Sequence, residues 1–286
     1  MNDRMPARVQ LDAFFYFVTG SQSGGLGRIW FLDRPNGAKI SSIYQKQLAV
    51  KTFEGQDQAL VVQELTNWIM LHHPSIMPLL KIARLNYRIA AMMELRQGSL
   101  QDVLRERIRL SWSDTKAVLE QTCEALHYAR TMHELAHLDI KPANILIEAF
   151  PDKVQVADWG ISRLLHNGKI SGAGAYTPGF LAPERLRGVV HSGVASDVFA
   201  VGITAICCLC GGPPYLLTDQ NGRRLVHEQQ VAMQLQSRAY YRYAQEMLRS
   251  FAHPIQKLLL SCIHPDPAKR YSNYEILLRD LKRIRS

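Results

Sequence analysis

The pattern of apolar and polar residues divides this chain into a strand-like first third and a helical remainder. Short runs rich in Val, Ile, Phe and Tyr predict strands at 11–19, 47–53 and 87–94, and a further strand follows the glycine-rich segment 20–27. The segment 56–72 has apolar residues three and four positions apart, which predicts a helix. The first third is therefore expected to be rich in strands and to contain one main helix.

The rest of the chain is predicted to be mainly helical. Ser111 and Asp114 have the spacing of a helix N-cap and its partner, and apolar residues at helical spacing follow them. Two short apolar runs, 145–147 and 154–157, predict a small hairpin between the helices. The apolar run Val198–Cys210 is shorter than the ~20 residues that cross a bilayer, so it predicts a buried core helix and no membrane span.

Charge and length narrow the class of protein only slightly. The chain has 286 residues, and its 34 Lys and Arg residues against 25 Asp and Glu residues give a formal charge of +9. This excess favours anionic partners such as a nucleotide, an acidic peptide, a nucleic acid or an anionic membrane surface. The basic residues are dispersed, which is typical of solvated helix faces, and no base-reading motif is present. A nucleic-acid partner is therefore not expected.

The five cysteines are typical of a protein from a reducing compartment. Their number is odd, and no charged-then-apolar leader precedes the first strand, so a cytoplasmic location is expected. Cys207, Cys208 and Cys210 lie close together, which is a spacing that metal ligands also use. Because they lie inside an apolar run without a second Cys or His pair, we interpret them as buried core residues.

The segment His137–Asn144 carries the groups that phosphoryl transfer requires. A carboxylate at Asp139 can accept the proton of an attacking hydroxyl, and the ammonium group of Lys141 can neutralise charge on the transferred phosphoryl group. Asn144 can offer its amide oxygen to a magnesium ion. On local grounds alone, Asp and Asn in a short polar loop are equally typical of turn residues.

Three further segments add groups that suit a phosphorylated ligand, and the first two also have a plain structural alternative. The glycine-rich turn allows backbone N–H groups to approach phosphate oxygens, or it is simply a hairpin. Lys51 ends an apolar tetrad and has a potential ion-pair partner in Glu64, or it is a solvent-facing lysine. Asp158, followed by Trp159 and Gly160, can bind magnesium after the predicted hairpin.

Taken together and in order, these segments resemble the catalytic domain of the eukaryotic-like Ser/Thr protein kinases over nearly the whole chain. The segment 137–144 is similar to H-R-D-x-K-P-x-N with Leu138 in place of arginine, and 158–160 is similar to D-F-G with Trp159 in place of phenylalanine. The glycine loop has Gln22 in place of the first glycine. Further matches lie in 177–184, similar to T-x-x-Y-x-A-P-E, in 196–202, in 265–271 and in the hinge-like segment 92–100.

The resemblance implies an α+β fold, the two-lobed protein kinase fold, over 9–286. An N-terminal antiparallel β-sheet lobe with its αC helix is expected at 9–95, and a larger, mainly α-helical lobe at 96–286, with ATP in the cleft between them. The implied function is ATP-dependent transfer of the γ-phosphate of MgATP to Ser or Thr hydroxyls of proteins, with autophosphorylation. The alternatives are a pseudokinase that serves as a nucleotide-binding scaffold or regulator, and a small-molecule kinase of related fold.

The resemblance also assigns site residues. Asp139, Lys141 and Asn144 are the expected catalytic residues, and Asn144 and Asp158 are the expected metal ligands, with Mg²⁺ as the metal and Mn²⁺ as an alternative. Asp197 is expected to brace the catalytic loop, and Glu184 to pair with Arg270. The residues expected to bind ATP are Gln22, Ser23, Gly24, Gly25, Leu26, Gly27, Ile29, Ala49, Lys51, Glu64, Met93, Glu94, Leu95, Leu146 and Asp158. The expected partners are ATP and a protein substrate bearing Ser or Thr.

Overall fold

The computed structural model describes residues 8–24, 27–33, 47–53, 57–159, 163–164, 169–170, 178–187, 191–215 and 233–285. The chain divides into two compact units. The first comprises Met1–His72 and Ile76–Gln97, and the second comprises His73–Ser75 and Gly98–Ser286. The change of unit at Gln97 lies just beyond the position expected from the sequence, and the short segment His73–Ser75 belongs to the second unit.

The first unit is an antiparallel barrel with one helix. Its strands pair in the order β1–β2–β3–β4–β6–β5 and the sheet closes on itself. The helix α1 is Gln58–Ile69. The strands are β1 (Arg8–Leu11), β2 (Phe14–Gly24), β3 (Gly27–Asp33), β4 (Leu48–Thr52), β5 (Lys81–Leu85) and β6 (Arg88–Glu94).

Closure of the barrel depends on a break that the sequence pattern does not reveal. The prediction of one strand over 11–19 is wrong, because the chain turns at Asp12, which has a φ of 51°. The Asp12 carboxylate accepts hydrogen bonds from Lys81 Nζ at 2.7 Å and from the backbone N–H of Arg84 at 2.8 Å. These contacts hold the turn against β5, so that Leu11 on β1 pairs with Leu85.

Alternate side chains of the strands point into the barrel and form its core, while helix α1 buries an apolar face of its own. Leu32, Leu48, Val50 and Met92 have no exposed surface and pack inside the barrel. The helix α1 begins where the side chain of Asp57 accepts the N–H of Ala59 at 2.7 Å, which satisfies one of the free donors of its first turn. It buries Val61, Leu65 and Trp68. The observed helix lies within the predicted range 56–72.

The second unit is mainly helical and contains three small sheets, ordered β10–β9–β7, β11–β8 and β12–β13. Its helices are α2 (Leu100–Arg107), α3 (Trp112–His133), α4 (Gly193–Cys210), α5 (Ala239–Leu248), α6 (His253–Cys262) and α7 (Tyr274–Arg283). Its strands are β7 (Gly98–Ser99), β8 (Leu135–Ala136), β9 (Ile145–Ala149), β10 (Lys153–Val156), β11 (Arg163–Leu164), β12 (Lys169–Ile170) and β13 (His191–Ser192).

Helix α4 forms the centre of the second unit. By length and composition it could cross a membrane, but 94% of it is buried inside the protein, as expected for a core helix. Cys207 and Cys208 are among its buried residues. A Cβ atom on Gly202 would lie 2.7 Å from the Cβ of Cys262 on α6, so only glycine allows this close approach of the two helices. The helix begins earlier than the predicted run at Val198.

The segment His73–Ser75 is fixed to the hairpin β9–β10 and to α3. The backbone N–H of Val156 donates to the Ser75 carbonyl at 2.8 Å, and Gln155 Nε2 donates to the Pro74 carbonyl at 3.2 Å. The ring of His73 lies 5.2 Å from the ring of Tyr128 on α3. This segment therefore supports the end of β10, from which the chain continues to Asp158.

Candidate active site

The three expected catalytic residues meet in the loop between β8 and β9 of the second unit. Lys141 Nζ lies 2.5 Å from Asp139 Oδ2, and Asn144 Nδ2 donates to the same oxygen at 3.0 Å. Asn144 Nδ2 also donates to the Asp139 carbonyl at 2.8 Å. Pro142 begins the short 3-10 helix Pro142–Asn144, which returns Asn144 towards Asp139.

The arrangement orients the Asp139 carboxylate and compensates for its burial. Its side chain is 5% exposed, so its charge requires the ammonium group of Lys141 and the amide donor of Asn144 nearby. Both donors act on Oδ2, and among the described residues no donor reaches Oδ1. A carboxylate with one oxygen held and the other available is suited to accept a proton from a hydroxyl group.

The backbone of the loop is held by Asp197 in the first part of α4. Its carboxylate accepts the backbone N–H of His137 at 2.8 Å and that of Leu138 at 2.7 Å. The hydroxyl of Tyr274, on α7, donates to the same carboxylate at 2.9 Å. Burial raises the pKa of Asp197, and these donors offset part of the rise. The expectation that Asp197 braces the catalytic loop is confirmed.

His137 links the loop to the end of the hairpin. Its Nδ1 accepts the N–H of Asp139 at 3.2 Å, and its Nε2 lies 3.0 Å from the Ala157 carbonyl. This geometry requires a neutral ring that carries its proton on Nε2. Burial lowers the pKa of His137, which agrees with that neutral form. The ring meets Trp159 edge to face, with 4.6 Å between the ring centroids.

The two expected metal ligands lie on joined segments. The N–H of Ala157 donates to the Asn144 carbonyl at 2.8 Å, and Asp158 follows directly with a φ of 65°. Trp159 is fully buried and donates from Nε1 to the Val156 carbonyl at 3.1 Å, so the larger ring fits where the family pattern has phenylalanine. Gly160 lies outside the described residues.

The donor set suits magnesium. Asn144 uses Nδ2 for its bonds to Asp139, which leaves the amide oxygen as a ligand, and Asp158 supplies a carboxylate. Mg²⁺ prefers oxygen ligands and is commonly held by one or two protein groups together with substrate phosphates. In the part of the chain that the structure describes, no group of three or more His, Cys, Asp or Glu residues could hold a metal alone. The residues present therefore fit a metal that is shared with a nucleotide.

Within the first unit, several of the residues expected to bind ATP share one face of the barrel wall. Gln22 pairs with Ile29, and Ile29 pairs with Lys51 across β2, β3 and β4. Ala49 pairs with Met93 on β6 in the same way. Because side chains alternate along a strand, these five residues lie on the face opposite to the packed interior. Lys51 is only 6% exposed.

The glycine-rich turn has one glycine whose role is clear from the fold. Gly27 has a φ of +140°, and a Cβ atom there would lie 1.9 Å from the Thr52 carbonyl oxygen. Glycine is thus required at the start of β3 for the approach to β4, whether or not a phosphate binds. Ser23 and Gly24 end β2. Gly25 and Leu26 lie outside the described residues.

The remaining expected positions are spread over several elements. Glu64 lies on α1 and is partly buried, and its pairing with Lys51 stays a prediction. Glu94 ends β6, and the N–H of Leu95 donates to the Gln47 carbonyl at 2.9 Å. Leu146 lies on β9 in the second unit.

Glu184 and Arg270 form the expected buried pair. Arg270 Nη1 and Nη2 donate to the two carboxylate oxygens of Glu184 at 2.8 and 2.9 Å. Arg270 also donates to the carbonyls of Ala195 at 3.0 Å and His264 at 2.8 Å. Its side chain has no exposed surface, so four hydrogen bonds satisfy a fully buried guanidinium group.

Sequence reasoning missed two residues that support the loop, Tyr274 and Arg185. Tyr274 binds Asp197 from 77 positions away, and nothing in the sequence indicates that contact. Arg185 is buried, and its Nη1 donates to the Leu138 carbonyl. The available signal was weak: an arginine next to Glu184 among small and apolar residues needs partners if it is buried.

A comparison of the sequence with known protein families supports the resemblance on which these residue assignments rest. The family model described as the protein kinase domain matches residues 37–281. The chain therefore belongs to the protein kinase domain family.

Among curated proteins, calcium/calmodulin-dependent protein kinase type IV of Mus musculus is 28% identical over 276 residues, which cover 92% of this chain and 56% of that protein. CBL-interacting serine/threonine-protein kinase 21 of Arabidopsis thaliana is 27% identical over 251 residues, covering 87% and 56%. Carbon catabolite-derepressing protein kinase of Saccharomyces cerevisiae is 26% identical over 176 residues, covering 62% and 27%. The chain thus spans about half the length of the first two relatives and less of the third.

Proposed function

We propose that this protein is an ATP-dependent serine/threonine protein kinase that transfers the γ-phosphate of MgATP to Ser or Thr hydroxyls of proteins, including its own chain. The observation that carries the proposal is the Asp139 carboxylate, held through Oδ2 by Lys141 and Asn144 on a backbone that Asp197 fixes. Membership of the protein kinase domain family and the printed names of the relatives support the same reaction.

Each of the expected site residues has a distinct role in this reaction. Asp139 orients the acceptor hydroxyl and takes its proton, because proton transfer in the transition state requires a base within hydrogen-bond reach. Lys141 offsets the negative charge of the transferred group from beside Asp139. Asn144 and Asp158 would hold Mg²⁺, which neutralises the charge of the phosphates when bound. In the first unit, Lys51 would contact the phosphates.

The second candidate function is that of a pseudokinase scaffold, which the departures at Gln22, Leu138 and Trp159 favour. The structure shows how two of these departures are accommodated. Leu138 interacts with Asp197 through its backbone N–H, and Trp159 is buried with its indole N–H satisfied. Neither change removes a group that would touch metal or phosphate. An active enzyme is therefore the better proposal.

The deciding experiment is incubation of the purified protein with MgATP and generic protein substrates beside an Asp139→Asn control. Incorporation of phosphate by the wild type that is absent from the control supports the kinase. Binding of nucleotide without any transfer would instead support the scaffold.

The acceptor is expected to be serine or threonine and not tyrosine. Lys141 lies at 2.5 Å from Asp139, and in the Ser/Thr kinases such a lysine, together with a threonine in the position of Thr177, holds a short acceptor close to the carboxylate. Thr177 lies outside the described residues. The measurement is phosphoamino-acid analysis of autophosphorylated protein, and mainly phosphotyrosine would contradict the expectation.

Basal activity is expected not to depend on phosphorylation of the segment before Glu184. In kinases with H-R-D, the arginine belongs to a basic pocket that a loop phosphate completes, whereas the side chain of Leu138 carries no charge. The segment before Glu184 offers Ser171, Tyr176 and Thr177 as acceptors of a phosphate, and all three lie outside the described residues. The protein would be treated with phosphatase, checked by mass spectrometry over 161–181, and assayed for initial rates. A loss above about tenfold, or ~1.4 kcal/mol of barrier, that returns on rephosphorylation would refute this expectation.

A cytoplasmic location is part of the proposal. All five cysteines are free, and four of them are buried. Free thiols fit a reducing compartment, in which such a protein would meet ATP and protein substrates.

A further inference from the structure

We propose that Arg185 is a positioning residue for phosphoryl transfer, which fixes the peptide group between Leu138 and Asp139 and thereby orients the catalytic carboxylate. This inference rests on the proposed kinase function. It adds a specific role for a residue outside the loop that carries the chemistry.

The contact itself joins two segments that are 47 positions apart. Arg185 Nη1 donates to the carbonyl oxygen of Leu138, and the arginine is only 5% exposed. The carbonyl of Leu138 belongs to the same planar peptide group as the N–H of Asp139. That N–H donates to His137 Nδ1 at 3.2 Å. Arg185 and His137 therefore hold the two ends of one peptide plane, and the orientation of this plane sets the position of the Asp139 Cα atom.

Leu138 is a residue whose backbone needs such support. Its φ of 69° lies in the left-handed region, which is unfavourable for a bulky L-residue. Its own N–H is bound by Asp197 at 2.7 Å, and its carbonyl is bound by Arg185. Strained conformations of this kind persist only when the surroundings hold them. Arg185 is thus one of the contacts that keep Leu138 in the conformation from which Asp139 follows.

Arg185 is itself held in place from both directions. Its backbone N–H donates to the Ala182 carbonyl at 2.9 Å. Its neighbour Glu184 is bound by both Nη atoms of Arg270 and accepts the Ser196 hydroxyl at 3.2 Å. Ser196 precedes Asp197 on α4, so one turn of that helix fixes both the catalytic loop and the segment that carries Arg185. Because the segment that carries Arg185 is held by these contacts, its guanidinium group can keep the Leu138 carbonyl in one position.

The test compares the rate of the chemical step with nucleotide affinity. In Arg185→Met, kcat is expected to fall about tenfold or more, because a small misplacement of a catalytic group has a large effect on rate. The KM for MgATP should stay within about twofold, because the guanidinium group binds the backbone carbonyl of Leu138, which is not among the residues expected to bind nucleotide. Arg185→Lys, which keeps the charge and one donor, should recover kcat to within about threefold of the wild type.

A second measurement does not require activity. Amide hydrogen exchange, followed by mass spectrometry, should become faster in Arg185→Met for peptides that cover 137–141, while peptides from α5 and α6 exchange as in the wild type. The matched control is Arg279→Met, which removes the same charge from an exposed position of the second unit. It should leave both kcat and exchange in the loop unchanged.

The outcomes separate this inference from the proposed function. A folded Arg185→Met protein with wild-type kcat and unchanged exchange in the loop would overturn the role of Arg185. Faster exchange in α5 and α6 to the same degree would show a general loss of stability and would also overturn it. If the wild type transfers no phosphate, the proposed function fails, and the exchange comparison still decides whether Arg185 fixes the loop. If Arg185→Met does not fold, Arg185→Gln serves in its place, because its amide ends short of the position of Nη1.

Discussion

An Asp139→Asn variant is expected to bind MgATP with nearly wild-type affinity while phosphotransfer falls by at least about 100-fold. The substitution preserves the shape of the side chain, and the amide oxygen can still accept the hydrogen bonds of Lys141 and Asn144. What is lost is the negative charge and the oxygen that takes the proton of the acceptor. Initial rates with a protein substrate, together with titration of nucleotide binding, measure the two effects separately.

Asp158→Asn is expected to act differently, because Asp158 is assigned to the metal. Its amide would bind Mg²⁺ less strongly than a carboxylate, so the affinity for nucleotide in the presence of Mg²⁺ should fall together with the rate. Without Mg²⁺, the affinity of this variant for ATP should approach that of the wild type. Nucleotide titrations with Mg²⁺ and with a chelator provide the comparison.

The matched control for both variants is Asp152→Asn, since Asp152 is an exposed carboxylate in the turn between β9 and β10. It should change neither the rate nor nucleotide binding. Equal losses of MgATP affinity in Asp139→Asn and Asp158→Asn would contradict the proposal that Asp139 acts in the transfer step and Asp158 in metal-dependent nucleotide binding.

The sequence predicted those parts of the site that depend on short-range geometry. Asp139, Lys141 and Asn144 lie within a few residues of one another, so a turn stiffened by Pro142 is enough to bring their side chains together. The hairpin β9–β10 and the helix α1 were equally accessible, because apolar spacing alone determines which face of each element is buried.

Contacts between distant segments were accessible only where the family resemblance supplied them. The resemblance paired Asp197 with the loop and Glu184 with Arg270, and the structure confirms both contacts. The resemblance did not indicate the contacts of Tyr274 and Arg185. Their partners lie 77 and 47 positions away, and a contact over such a distance produces no periodic pattern in a single sequence. The turn at Asp12 was missed for a related reason, since the partners that stabilise it lie on β5.

Helix α2 was missed for a different reason. Its apolar residues Leu100, Val103 and Leu104 have helical spacing and pack against the core, but they span little more than one turn before the polar end of the segment, which is too short a stripe to predict a helix. Its start is instead fixed by polar contacts: the backbone N–H and the hydroxyl of Ser99 both donate to the Asp102 carboxylate, at 2.9 and 2.7 Å. Capping of this kind is visible in a sequence only when the following pattern already indicates a helix.

Arg270→Ala is expected to destabilise the second unit by ~3–5 kcal/mol, the usual cost of removing one partner of a buried ion pair. The variant leaves the Glu184 carboxylate, whose side chain is 9% exposed, without the two hydrogen bonds that compensate for its burial. It also leaves the carbonyls of Ala195 and His264 without their donor. For a chain of this size the melting temperature should fall by roughly 6–20 °C.

The control for this loss is Arg279→Ala, because Arg279 is 57% exposed and pairs only with its neighbour Asp280 among the described residues. An exposed pair of this kind contributes at most about 1 kcal/mol, so the melting temperature should change little. A double-mutant cycle with Glu184→Ala isolates the pair: the double variant should be less destabilised than the sum of the two single variants, because it leaves no unpaired carboxylate. A melting temperature of Arg270→Ala equal to that of Arg279→Ala would mean that the pair contributes nothing to stability, despite its burial and its two hydrogen bonds.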